Sequence, residues 1–388
     1  MISGTPTTAH HRNLFLVGID VDSMGGSQRV LHTLAQGFAQ RGHHVNLIGI
    51  RPSAAPYEYF REPAYRHSTL YSSPSAPAWH AQRLSERLSP ARMRTARAAR
   101  AEREEAKRKL TQQFASVEDG YVIIGSPWAV DWLASVEWSH LKGVGQYHES
   151  FVQAQGSAHL RLIRRHYPRL EKSVFLSDED AAAFQRDRLP NATVMPNPLP
   201  FPSTAPAPLD TRRIGAVGRL EAVKRLDRLI DAFALACADL PDWELHLFGD
   251  GPQEPALREQ AAQLGIGDRV RFRGSVSDMA AAYQELAVLA LTSEREGRPM
   301  ALAEAAGCGV PCVSFDLSAG VRDLIDDGRT GTLVRPGDTA ALADALRQLA
   351  HDDELRRRYG LAAQSHVASL ELPVVLNRWE RLFDEIDR

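Results

Sequence analysis

The sequence predicts two doubly wound α/β domains facing each other across a cleft, and three observations carry that prediction. A short apolar run, a glycine turn and an amphipathic stretch follow one another near the start, in the order of a βαβ unit. Six prolines then interrupt the chain between Pro196 and Pro208. Past that break, short apolar runs again alternate with helical stretches.

Leu14 to Ile19 reads as the first strand and Gly25-Gly26 as the turn after it. Val30, Leu31, Leu34, Ala35 and Phe38 then recur at helical spacing. Arg41-Gly42 ends this helix, because glycine accepts the left-handed conformation of a C-cap, and His44 to Ile50 forms the next buried strand. Parallel strands joined this way cross over right-handed. Runs at Tyr121 to Ile124, Val144 to Tyr147 and Val174 to Leu176 continue the sheet, which places the first domain at residues 1–200. Prolines lack the N–H that ladders and helices use, so 201–211 reads as a linker. A second domain over 212–373 draws strands from Ile214 to Val217, Glu244 to Phe248, Val270 to Phe272, Ala287 to Leu291 and Pro311 to Ser314. Its helix from Leu226 to Leu240 gathers Leu226, Leu229, Ile230, Phe233, Ala234 and Cys237 on one face. Residues 374–388, with a helical stretch from Val374 to Ile386, are expected to cross back to the first domain.

Composition narrows the function. With 388 residues, 44% hydrophobic and 24% charged, the chain can bury two cores, which argues against disorder throughout. Its 46 basic and 48 acidic residues leave a charge of −2, so a dedicated nucleic-acid binder is not expected. No apolar run reaches the roughly 18 residues that span a bilayer, and Met1 to Asn13 is polar, so a cytoplasmic protein is expected. Cys237, Cys308 and Cys312 form no CxxC or Cys/His cluster, which argues against disulfides and structural zinc. Cys308 and Cys312 flank Gly309-Val310-Pro311 and read as small packing residues.

Chemistry concentrates in the stretch from Thr292 to Pro311, where Glu296 and Glu304 stand eight apart. Were both helical they would be about 12 Å apart along the axis, which roughly brackets a diphosphate with one carboxylate at each end. Pro299 suits a first helical turn, leaving amides from Met300 onward free to meet an anion. Acids attracted to a helix N-terminus by its dipole would look similar. Ser293, Glu296-Gly297, Glu304 and Cys308-Gly309-Val310-Pro311 together resemble the E-x7-E motif of the family-4 retaining glycosyltransferases, which have the GT-B fold of two Rossmann-like domains. That resemblance implies that Glu304 binds the nucleotide ribose and that Glu296 contacts the donor sugar near the reacting carbon. Gly297, Arg298, Pro299, Met300 and Ala301, between them, are expected at the donor as well.

Gly218 to Asp227 is similar to the same family's GRLxxxKxxD motif. A departing diphosphate gathers charge on its oxygens, which the Arg219 fork and the Lys224 ammonium would stabilise. Lys224 is one of only five lysines against 41 arginines. Gly249, and Gly274 with Val276, resemble landmarks where the backbone approaches the nucleotide and its base, although glycines at strand ends also suit plain turns. The likeness is close from Arg213 to Leu349 and thinner before. In the first domain Gly25-Gly26 matches a glycine loop near the donor phosphates. His148, within Gln146-Tyr147-His148-Glu149-Ser150, matches a histidine that contacts sugar or acceptor. Positioning is its expected role, with a purely structural histidine as the other reading. Asp20-Val21-Asp22 has the form of a metal-binding DxD in the wrong place, and no metal or other cofactor is expected besides the nucleotide sugar itself.

The resemblance implies retaining transfer of a hexose or N-acetylhexosamine from a nucleotide diphosphate sugar, by family preference a UDP-sugar, to an acceptor hydroxyl. His80 to Leu110 holds ten Arg or Lys against four Glu, and Arg161, Arg164, Arg165, Arg169 and Lys172 form a second basic cluster. Both favour an anionic wall polymer or lipid-linked carrier as acceptor, with peripheral contact at the inner face of a membrane. Charge pairing along an arginine-rich helix is the plainer account of the first cluster. Transfer to a soluble metabolite, a sugar-nucleotide 2-epimerase of the same fold and a non-catalytic sugar-nucleotide clamp stand as alternatives.

Overall fold

The computed structural model describes residues 11–74, 90–203, 205–236, 238 and 240–388, with the backbone alone for 90–93. The polar opening through residue 10, positions 80–89 of the basic stretch, Thr204 of the linker and Cys237 lie outside the described residues.

Apolar runs in the first half assemble into a seven-stranded sheet of order β3-β2-β1-β4-β5-β6-β7, every pair parallel. Its strands are β1 (Asn13–Gly18), β2 (His44–Gly49), β3 (Arg66–Thr69), β4 (Tyr121–Ile124), β5 (Lys142–Gln146), β6 (Lys172–Phe175) and β7 (Ala192–Val194). The second half forms a six-stranded parallel sheet of order β10-β9-β8-β11-β12-β13. Here the strands are β8 (Arg213–Val217), β9 (Glu244–Phe248), β10 (Val270–Gly274), β11 (Val288–Leu291), β12 (Cys312–Phe315) and β13 (Gly331–Val334). In each sheet the first strand lies inside, flanked by the second strand and by a later one. The loops leaving β1 and β4, or β8 and β11, therefore diverge at the carboxyl edge and open a crevice there.

Three strands escape the sequence reading. Arg66–Thr69 carries no apolar side chain, Ala192–Val194 has three residues, and Gly331–Val334 opens on a glycine that resembles a turn. The helix expected from Leu226 to Leu240 spans Leu226–Ala236. Cys308 and Cys312 are buried, and burial pushes the Cys312 thiol pKa up.

The first helix, α1 (Gly26–Gln40), buries the apolar stripe seen in the sequence. A helix over Leu372–Asp387, the crossover helix, packs on it and places Val375, Leu376, Trp379, Leu382 and Phe383 in one core with Leu34 and Phe38. Their close approach depends on Gly37, where a Cβ would lie 2.7 Å from Leu376 Cδ1. Polar ties surround the contact: Arg41 to Glu380 at 2.7 Å, Arg12 to Asp384 at 2.5 Å, and the Tyr121 hydroxyl donating to the Phe383 carbonyl at 2.9 Å. The linker is fastened too. Leu199, Ala207 and Leu209 are buried against the second domain, and the Leu199 amide donates to the Leu370 carbonyl at 2.8 Å. No helix among the described residues is long and apolar enough to cross a membrane.

Candidate active site

The loops after β8 and β11 meet at the reversal of the second sheet. The Glu294 amide donates to the Val223 carbonyl at 2.7 Å and the Thr292 hydroxyl to the Lys224 carbonyl at 3.1 Å. With the two backbones joined, Lys224 Nζ reaches Glu296 Oε1 at 2.7 Å, and the Ser293 hydroxyl donates to the same oxygen at 2.6 Å. Gly249 follows β9 with φ +123°, and a Cβ there would sit 2.2 Å from the Gly218 carbonyl oxygen, so only glycine fits. Its amide donates to the Gly274 carbonyl at 2.8 Å, while half-buried Val276 packs on the core beneath.

Pro299 is extended and the helix over Met300–Gly307 begins one residue later. Glu296 thus lies in the loop and Glu304 inside the helix, so the helical spacing of about 12 Å does not describe the pair. Glu304 is 5% exposed; Tyr283 donates its hydroxyl to Oε2 at 3.0 Å, and Arg29 of α1 stands 4.0 Å from Oε1. Burial raises the Glu304 pKa, against the pull of Arg29 and Tyr283. Pro299 is buried and Ala301 half-buried, the latter against the same core as Val276.

The first domain approaches these loops at two points. Gly297 rests on the backbone of His148 and Glu149, where a Cβ would meet the His148 carbonyl oxygen at 2.7 Å and Glu149 Cα at 2.8 Å. Gly26 faces Met300, with 3.9 Å from an ideal Cβ to Cγ. The ring nitrogens of His148 are shielded from solvent, and burial lowers its pKa to about 4 against the side chain of Asn197 and the charge of Glu149. Glu149 serves other partners: Tyr147 donates to it at 2.9 Å and His159 lies at 3.4 Å. Beside Arg29 a cavity of about 320 Å³ opens between the domains, lined by Tyr57, Tyr59, Phe60, Phe201 and Met279 among others.

Two of the expected site residues make contacts of their own. Arg219 is 71% exposed and paired with Glu221 at 2.9 Å, because its position in the loop directs it to solvent rather than to Glu296. Arg298 is 12% exposed and donates from Nη1 to the Leu176 carbonyl of the first domain at 2.7 Å, a contact across the interface that its motif does not announce. Asp20-Val21-Asp22 forms a turn in which Asp20 Oδ1 accepts from the Asp22 and Ser23 amides, each at 2.9 Å. Among the described residues no group of three or more His, Cys, Asp or Glu is arranged to hold a metal ion. Sequence reasoning missed Arg29 and Tyr283. Arg29 had left one signal, a cation in the first turn of a helix whose dipole disfavours it there.

Residues 203–366 match the family model Glycosyl transferases group 1, the stretch that holds Lys224, Glu296 and Glu304. These residues form a group 1 glycosyltransferase domain. The chain is similar to an exopolysaccharide phosphotransferase of Streptomyces coelicolor, 29% identical over 282 residues that cover 72% of this chain and 30% of that protein. A phosphatidyl-myo-inositol mannosyltransferase of Mycobacterium leprae is 33% identical over 202 residues, 51% of this chain and 53% of its own length. The matched part of the chain thus spans about a third to a half of these relatives. Among solved structures, Anabaena HepE in complex with UDP aligns with a TM-score of 0.73 at 18% identity, covering 96% of this chain and 100% of that one. The group 1 domain therefore sits within a GT-B fold, its two parallel sheets matching those of HepE.

Proposed function

We propose that this protein is a retaining glycosyltransferase that moves a hexose or N-acetylhexosamine from a nucleotide diphosphate sugar to an acceptor hydroxyl. The observation that carries the reading is the seating of Gly297 on His148, which brings Lys224 and Glu296 of one domain to the histidine loop of the other. In this reading buried Glu304 accepts hydroxyls of the nucleotide ribose. Lys224 exchanges part of its contact with Glu296 for the leaving phosphate and stabilises charge as it develops. Arg219 joins it by leaving Glu221. Glu296 is freed toward the sugar, and neutral His148 positions sugar or acceptor. Closure of the two domains excludes water that would otherwise hydrolyse the donor.

For the acceptor we infer an anionic polymer or lipid carrier, with first-domain cations facing it. Arg94, Arg97 and Arg100 are exposed on the helix over Pro90–Phe114 and have no ion-pair partner among the described residues, whereas Lys107 and Arg108 pair with Glu104 and Glu105. Arg164 is spent on Asp187, but Arg161, Arg165 and Arg169 stay exposed. Trp128 and Val152, 48% and 75% exposed, follow β4 and β5 at the carboxyl edge, the side of the cleft. The mannosyltransferase relative is named for an anionic lipid, which agrees with this choice.

The test is a screen of UDP-, GDP- and ADP-sugars with EDTA present, reading thermal shift and nucleotide diphosphate release, with the anomeric configuration of any product assigned by NMR. Release from one donor with retained configuration supports the reading and its independence of metal. Failure of every donor either to stabilise the protein or to react overturns it.

A further inference from the structure

Where the chain passes between the domains, a cavity of about 220 Å³ lies among Asp178 and Pro196 of the first domain, Arg298 and Asp323 of the second, His366, and Arg378 of the crossover helix. That volume is room for a compact ion. Its chemistry centres on two guanidinium groups. Arg298 uses Nη1 on the Leu176 carbonyl, stands 3.7 Å from Asp323, too far for a hydrogen bond, and keeps Nε shielded from solvent with no acceptor. Arg378 is half-buried and has no hydrogen-bond or ion-pair partner among the described residues.

The two charges act on each other: the Arg298 pKa is lowered first by burial and further by Arg378. Asp178 and Asp323 line the same cavity, and each pulls the Arg298 pKa up against burial and Arg378, so an oxyanion must displace or share these carboxylate contacts. Asp323 has its own pKa raised by burial and by Asp178, Asp180 and Glu179, with Arg298 pulling the other way. His366 is engaged through Nε2 with the Asp323 carbonyl at 2.9 Å. Two adjacent guanidiniums, one with an orphaned Nε–H, are the donor set that bidentate oxyanion recognition uses.

We propose that this cavity is a binding site for a small oxyanion, of phosphate or carboxylate type, bridged between Arg298 and Arg378. The site has a lever on the catalytic loop. Arg298 directly follows Gly297, which is seated on His148, and lies two residues beyond Glu296, whereas Arg378 belongs to the helix packed on α1. An anion held by both ties that loop to the first domain and restrains the interface.

The full chain is titrated with inorganic phosphate, inorganic diphosphate or malonate against sodium chloride of equal ionic strength, reading melting temperature and heat of binding. Arg378→Gln, Arg378→Lys and Lys224→Met are run alongside. Saturable binding is expected in the unaltered protein and in Lys224→Met, weakened about tenfold or more in Arg378→Gln and less in Arg378→Lys. Comparing phosphate with malonate identifies which oxyanion the cavity prefers. In the Lys224→Met background, where the donor-phosphate clamp is removed, binding that survives the added Arg378→Gln change, or that is already absent, places the anion elsewhere and overturns the proposal, as does a response no larger than that to chloride. Arg378→Lys keeps the charge, so a test remains if Arg378→Gln fails to fold. No step uses a sugar donor, so this site and the glycosyltransferase reading fail independently.

Discussion

Lys224 and Glu296 are 72 residues apart in sequence and 2.7 Å apart in space, at the oxygen that also accepts the Ser293 hydroxyl. Their strands, β8 and β11, are neighbours at the sheet reversal, so topology alone brings the two motifs together. The pair holds the ammonium at the crevice, and a donor phosphate must compete with Glu296 for it.

Lys224→Met should therefore lower turnover about 100-fold or more, the cost of removing one donor that acts on developing charge. Its effect on stability should be about 1–3 kcal/mol, since the side chains are only 26% and 13% exposed and Glu296 loses its charged partner. Steady-state nucleotide diphosphate release beside a thermal melt checks both. A variant with near-normal turnover excludes Lys224 from the leaving-group role.

Glu304 has a folded-state pKa raised above the ordinary 4.5, so the folded protein holds its proton more tightly than the unfolded chain. The stability contributed by that proton is complete below 4.5 and is lost as pH rises through the folded value. Glu304→Gln should flatten this part of the melting profile against pH. It should also weaken nucleotide diphosphate binding by about 10-fold or more, as loss of a charged acceptor does, which calorimetry measures.

For His148 the sign is reversed. Its pKa falls from 6.5 to about 4, so the unfolded chain binds more protons in between and stability rises with pH across that window. His148→Asn should remove that rise. In the unaltered protein the histidine stays neutral at pH 7, and the pH–rate profile should show no inflection near 6.5 that disappears in His148→Asn.

Gly297→Ala places a methyl against the His148 carbonyl and Glu149 Cα, both backbone atoms that cannot rotate aside. A loss of about 1–3 kcal/mol of stability is expected, with turnover reduced as the interface spreads. Gly267→Ala, whose added carbon meets nothing closer than 3.5 Å, is the control and should change turnover little.

Phe383→Ala removes a fully buried ring from the core shared by α1 and the crossover helix. It should cost about 3–5 kcal/mol, read by chemical denaturation.

Strands with apolar faces were legible: Tyr121–Ile124 and Glu244–Phe248 have the bounds their runs suggest. Arg66–Thr69 was not, because its pairing with β2 uses backbone groups that no side-chain pattern reports. The same division holds at the site. Lys224 and Glu296 are close because motif spacing and sheet order both require it. The direction of Arg298 depends on a carbonyl of the other domain, at Leu176, and no local pattern encodes that contact. The helix starts at Met300, after proline supplies the extended residue before the first turn, so Glu296 stands in the loop ahead of it and only Glu304 is helical.

The crossover helix also sets an order of events during synthesis. Phe38 and Leu34 are covered by Trp379, Leu376 and Phe383, which leave the ribosome only after the whole second domain has been made. Until then the first domain shows a sticky flank on α1, and a chaperone or the nascent second domain must shelter it. Stalled or clipped chains lacking residues 372–387 would aggregate through that flank even with every catalytic group in place.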